Sequence, residues 1–139
     1  MVFAATAVVV FWDAPRLRLE LVLERPSIEK AARDYLDAET ARDYKKVYAL
    51  LAPSSIYMRT HTYDDFIREV ESSPVVIRSY RIKDIYRLRP NHDPEVYPGV
   101  ERFVQVEVDI DVGFSDTGAA SSCNYCFTFL KENGRWYKG

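Results

Sequence analysis

The chain has 139 residues, 19 basic against 21 acidic side chains for a net charge of −2, and is 47% hydrophobic and 29% charged. A chain of this length folds as one domain that buries roughly two thirds of its unfolded surface without a metal or disulfide, and its composition excludes a disordered or fibrous polymer. The weak negative charge supplies no basic field, which excludes general nucleic-acid binding.

The first segment, Val2 to Trp12, is continuously uncharged and mostly apolar. It is too short to span a bilayer, which takes about 20 residues, and it lacks the basic start and small-residue cleavage site of a secretory signal. Two readings stand: the exit end of a membrane anchor, or a helix or strand docked on the domain or on a second copy of it. The connector-like stretch Pro15 to Arg25 favours the anchor, and with it a membrane-tethered, extracytoplasmic domain. Within that stretch Leu17, Leu19, Leu21 and Leu23 alternate with mostly charged residues, a period that fits a short strand or the continuation of a helix. Residues 1–26 are thus set apart from a domain spanning 27–139.

Pro26 resets the chain, and Ser27 with Glu29 supplies an N-cap and an acidic first turn. Ile28, Ala31, Ala32, Tyr35 and Leu36 then recur at helical spacing, predicting a first helix over 27–40. Asp43 caps a second, shorter helix with Tyr44, Val47, Tyr48 and Leu51 on its apolar side, ended by Pro53. Thr62 and Asp65 form a capping-box pattern at the head of a third helix carrying Tyr63, Phe66, Ile67 and Val70.

After Ser73 and Pro74 the apolar period changes to two, predicting strands over 75–89, 100–112, 121–132 and 136–138. The proline-rich loop 90–99 folds the first back on the second. With Arg89 opposite Glu101, Lys83 faces Glu107, Arg81 faces Asp109, Ile82 faces Val108 and Tyr80 faces Ile110. A one-residue slip would turn Val104, Val106, Val108 and Ile110 out to water. The row Glu107, Asp109, Asp111 then reads as a solvated sheet face and not as a calcium or magnesium site, and so charged a face disfavours a dimer through it. A homodimer would use another surface, such as Val2 to Trp12. Cys123 and Cys126 lie on opposite faces of one strand and read as buried, unpaired core thiols. His61 and His92 stand at unrelated positions, so no zinc spacing exists.

The segment ARDYLDAETARDYKKVYALL (residues 32–51) resembles the opening of many chains of the NTF2-like superfamily, and the closing FTFLKENGRWYKG is similar to their last hairpin. The resemblance covers residues 27–139. It implies an α+β fold of three N-terminal helices packed on a curved antiparallel sheet, a cystatin-like cone closed at one end. In the enzymes of that superfamily, such as ketosteroid isomerase and scytalone dehydratase, an acid or histidine in the cone works with tyrosines on proton transfer beside a carbonyl. More often the cone binds or assembles.

On the register above Asp84 shares the apolar face with Ile82 and Tyr86, where desolvation would raise its pKa and suit it to acid–base work. A bulge would turn it outward, and is the preferred reading in a long bent strand. His61 is the other candidate, as a base or as a partly exposed turn residue. Tyr35, Tyr48, Tyr57 and Tyr80 either line the cone or fill the core. No cofactor motif, nucleophile elbow or phosphate loop is present. The expected function is therefore a non-catalytic domain that binds a small apolar molecule or a protein partner without a cofactor. The alternative is a cofactor-independent lyase or isomerase using Asp84.

Overall fold

The computed structural model describes residues 3–139, with side chains from Pro15 onward. Four helices precede four strands: α1 (Phe3–Thr40), α2 (Tyr44–Ala49), α3 (Ile56–Thr60), α4 (Tyr63–Ser72), β1 (Val75–Pro90), β2 (Val100–Phe114), β3 (Ala120–Glu132) and β4 (Arg135–Lys138). The strands form one antiparallel meander in chain order. The expected strands are all present, and the helices number four where three were expected.

The largest correction is at α1. Ser27 does not begin a helix, and 17–24 is not a strand, because the helix runs unbroken through both Pro15 and Pro26. An interior proline costs about 3 kcal/mol through its lost hydrogen bond and its clash with the preceding turn. Tertiary contacts on the N-terminal side of Pro26 offset it. Arg25 donates to the Ile85 carbonyl of β1 at 3.0 Å, Glu20 accepts from Arg102 of β2 at 2.8 Å, and Glu24 accepts from Lys131 of β3 and from the Trp136 indole of β4, each at 2.8 Å. Three polar side chains within six residues therefore reach all four strands. The opposite side of this stretch exposes Leu19, Val22 and Leu23. The role expected of Val2 to Trp12 lies outside the residues whose side chains are described. Among the described residues no helix is long and apolar enough to cross a membrane.

Asp43 and Thr62 cap α2 and α4 as their sequence positions predict, and Thr62 with Asp65 completes a reciprocal capping box. The missed helix, α3, is a five-residue turn capped by the Ser55 hydroxyl. Asn133 (φ 49°) and Gly134 (φ 73°) join β3 to β4, both in the left-handed region that a two-residue hairpin turn needs.

The core lies between α1 and the inner sheet face. Ile28, Ala32, Tyr35 and Leu36 pack with Ile85, Val104, Val106, Val108, Phe127 and Phe129, and Val47 and Phe66 close it from α2 and α4. A smaller cluster, Ala52, Val100, Phe103 and Leu130, occupies the other sheet face under Tyr97 and Tyr137. Backbone bonds from Ala52 to Lys138 (2.7 Å) and from Lys138 to Leu50 (2.9 Å) seat the segment after α2 along β4.

The β1–β2 register agrees with expectation at Tyr80–Ile110, Arg81–Asp109 and Ile82–Val108. It then slips. A bulge between Ile82 and Asp84 puts Asp84 opposite Glu107, and a further irregularity between Tyr86 and Arg89 puts Arg89 opposite Phe103 and not Glu101. Arg87, with φ 57°, lies in that second irregularity. Lys83, excluded from the ladder, reaches Asp109 at 3.7 Å and not Glu107. The outer face otherwise satisfies its own charges: Asp109 accepts from Asn124 and Arg81, and Asp111 from Ser79 and Ser122. Those bonds, with the neighbouring cations for Asp109, hold both carboxyls below their usual pKa range.

Candidate functional site

The bulge decides the fate of Asp84. One extra residue flips the parity of the strand, so Ile85 takes the inward position and Asp84 faces out. Its side chain is 55% exposed, stands 3.7 Å from Arg25 and accepts from the backbone N–H of Ile85. Asp84 is therefore a solvated carboxylate, the position that the bulge reading of the strand gives it.

His61 ends α3, with its ring stacked on Tyr57 (centroids 4.2 Å apart, planes 5° from parallel). Its Nε2 lies 3.4 Å from Glu69, whose other oxygen accepts from the Tyr57 hydroxyl at 2.7 Å. Desolvation and the Glu69 carboxylate push the Tyr57 hydroxyl up to about 12. Glu69 thus ties His61 and Tyr57 into one cluster at the rim, while Asp84 belongs to the neighbourhood of Arg25. The structure does not bring the two acid–base candidates together.

The four tyrosines divide. Tyr35 is buried against Phe127 and Phe129 in edge-to-face geometry and donates to Glu39 at 2.8 Å, so burial and then the Glu39 charge raise its pKa. Its ring also faces a side cavity of about 290 Å³ beneath Glu39 and Val76. Tyr48 is half-buried between Tyr63 and Phe66 and packs against the core. Tyr80 bonds Asp37 across the join of α1 and β1. Tyr57 lines an open cleft.

That cleft has a volume of about 400 Å³ and lies where β4 stops pairing with β3. Tyr57 of α3, Tyr97 of the β1–β2 loop, Phe103 of β2, and Tyr125 and Phe127 of β3 supply five aromatic rings to its wall. Tyr97 meets Phe103 edge-on at 5.2 Å, and Tyr125 leans on Phe127 at 4.7 Å. Lys138 and Arg89 also line it. A smaller lobe of about 240 Å³ adjoins through Ser55, Tyr57 and Lys138 and ends on Phe66 and Val70. Tyr97, Phe103, Tyr125, Arg89 and Lys138 were not anticipated from sequence. They come from separate segments, and only the hairpin ending at Lys138 carried a signal.

Both cysteines are exposed, against the expectation of core thiols. β4 covers β3 only from Phe129 to Glu132, so Cys123 and Cys126 lie on a stretch with no strand outside it among the described residues. Cys126 Sγ is 3.1 Å from the Tyr86 hydroxyl. Both thiols are expected to react with Ellman's reagent in the folded protein at rates that denaturant raises only slightly. A thiol that reacts only after unfolding would place β3 under a cover. Among the described residues no group of His, Cys, Asp or Glu is arranged to hold a metal ion.

With this order of elements, two solved structures are similar over most of their length. A ketosteroid isomerase-like protein from Erwinia carotovora atroseptica SCRI1043 matches with a TM-score of 0.54 and 21% identity, over 83% of this chain and 90% of that one. An NTF2-like protein from Cytophaga hutchinsonii ATCC 33406 matches with a TM-score of 0.54 and 18% identity, over 83% and 92%. The fold is NTF2-like. No family profile and no curated protein matches the chain in sequence, so the likeness is one of architecture. The NTF2-like fold serves both ligand-binding and isomerase-type proteins, and the site must decide between them.

Proposed function

We propose that this NTF2-like domain is a non-catalytic binder of a small, largely apolar molecule held in the cleft beside β3. The observation that carries the reading is the cleft itself: about 400 Å³, with five aromatic rings among its lining residues beside Ser55, Arg89, Thr128 and Lys138, within the size range of small-molecule sites. Aromatic side chains give large contact area at low conformational cost, and a concave site suits a small molecule better than a flat protein surface does. The isomerase alternative needed an inward acid, and Asp84 stands in solvent beside Arg25.

A two-dimensional NMR titration with naphthalene-2-methanol tests this. Saturable shifts are expected at Tyr57, Tyr97, Phe103 and Tyr125, and a Tyr97→Ser variant should weaken binding by about tenfold, as loss of one well-packed aromatic contact does. Shifts that never saturate, or that fall elsewhere on the molecule, would end the proposal.

A further inference from the structure

The two edges of the sheet are built differently. β1, at one edge, carries Arg78, Arg81, Lys83, Arg87 and Arg89, and its register shifts at Ile77/Ser79, Ile82/Asp84 and Tyr86/Arg89 before it ends on Pro90. Charge, bulges and proline are the devices that keep an exposed edge from pairing with another chain. β3 becomes the other edge where β4 stops, and from Ala120 to Cys126 it has none of them. That stretch, ASSCNYC, is uncharged, pairs with β2 in unbroken register, and is exposed at every residue.

The backbone groups on this edge follow from two hydrogen bonds. Gly139 donates to the Thr128 carbonyl on the β4 side of β3, and Phe114 of β2 donates to the Ala119 carbonyl on the other. Backbone direction alternates along a strand. Ala120, Ser122, Asn124 and Cys126 therefore point their N–H and C=O groups away from the sheet. The Ser122 and Asn124 side chains are turned back onto Asp111, Glu107 and Asp109 of β2, so what the edge offers is backbone.

We infer that this edge pairs antiparallel with the same edge of a second copy of the chain, about a two-fold axis at Cys123. The ends of the free stretch set the register. β3 begins at Ala120, and Gly139 already occupies Thr128, so a partner strand reaches no further than Cys126. Ala120 then lies opposite Cys126 of the second copy, Ser121 opposite Tyr125, Ser122 opposite Asn124, and Cys123 opposite its own counterpart. The outward-pointing residues fall in the pairs that exchange two hydrogen bonds each, small side chains meet larger ones, and no charge opposes another. A longer register runs into Gly139, and a shorter one gives up Tyr125 and Cys126. A foreign strand finds no charge here to read, whereas a second copy supplies matched length and matched sizes. The pairing covers backbone and leaves both sheet faces open, so the two thiols stay within reach of reagents. It is independent of the ligand proposed above.

Sedimentation velocity of the reduced full chain tests the association. So short an edge makes a weak dimer, expected to be mostly dissociated at about 10 µM and mostly formed by about 1 mM. Ser122→Pro removes an N–H that faces solvent in the monomer, a position where an edge strand tolerates proline, and Cys123→Lys sets two like charges face to face on the axis. Each should weaken association by about tenfold or more, because the symmetry applies every loss twice, with the urea midpoint of the dilute protein unchanged. The register has its own readout. A non-hydrogen-bonded pair brings its Cα atoms to about 4.5 Å, within disulfide range, so diamide, which takes up the two hydrogens released, should cross-link the concentrated protein through Cys123. Cys126→Ser should keep that cross-link and Cys123→Ser abolish it. A chain that stays monomeric at about 1 mM, a dimer indifferent to both edge variants, or a cross-link that runs through Cys126 would each overturn the pairing.

Discussion

Phe129→Ala is expected to destabilise the protein by about 4 kcal/mol, the scale of a large aromatic removed from a core that cannot collapse around the void. Phe129 is 1% exposed, sits opposite Val104 on β2 and Lys138 on β4, and meets the Tyr35 ring of α1 edge-on at 6.3 Å. Its removal opens the contact between the helix layer and the middle of the sheet, so both lose packing. Urea unfolding followed by circular dichroism measures the change. The informative control is Tyr125→Ala, on the same face of the same strand but 56% exposed, expected to cost less than about 1 kcal/mol. Equal losses at the two positions would mean that the cleft end of β3 is packed in solution, against the open cleft proposed above.

Glu24→Ala is expected to cost about 2 to 3 kcal/mol, because it leaves Lys131 and the Trp136 indole without their acceptor in a partly covered site. The figure stands below that for a fully buried pair, since water reaches both side chains. The effect also depends on pH. Burial alone would raise the Glu24 pKa, but hydrogen bonds from Lys131 and Trp136 and the charges of Lys131 and Arg102 outweigh it, so the folded carboxyl titrates below its ordinary value of 4.5. A group with a depressed folded pKa contributes stability that is complete above its unfolded pKa and fades as pH falls through the folded one. The gap between the parent protein and Glu24→Ala should accordingly be widest near neutrality and narrow below pH 4.5. A gap that stays constant down to pH 3 would show that the ionised carboxylate is not what holds α1 to the sheet.

Much of the architecture is written in local pattern, and the exceptions have physical causes. The four strands follow from the change of apolar period after Pro74, and the central β1–β2 register follows from complementary charge and apolar rows. Parity is where that reasoning stops. A period-two pattern accepts a bulge anywhere between two apolar runs, and the residue it displaces decides whether Asp84 meets the core or water. At α1 the local signals pointed the wrong way. Pro26 and Ser27 form a sound helix start, and only the contacts of Glu20, Glu24 and Arg25 with a sheet some 60 to 112 residues later in the chain carry the helix through them. Propensity yields to tertiary structure there. The cysteines were misplaced for a related reason. Their strand has the composition of a core strand, but burial depends on what lies beside it, and β4 is too short to reach them. Of the tyrosines singled out from sequence, Tyr57 lines the main cleft and Tyr35 a separate cavity, while Tyr48 and Tyr80 serve packing and the helix–sheet join. The remaining lining residues are neighbours only in three dimensions.

The anchoring of α1 has a mechanical side. A strand tugged from its end tears away from a sheet one hydrogen bond at a time, with the whole load on a single pair. A pull on α1 from the direction of Pro15 meets Arg25 on β1, Glu20 on β2 and Glu24 on β3 and β4 together. The load is divided over the width of the sheet, and no strand can be peeled off by it alone. The attachment of the first helix is thus distributed across the sheet and not concentrated on one strand.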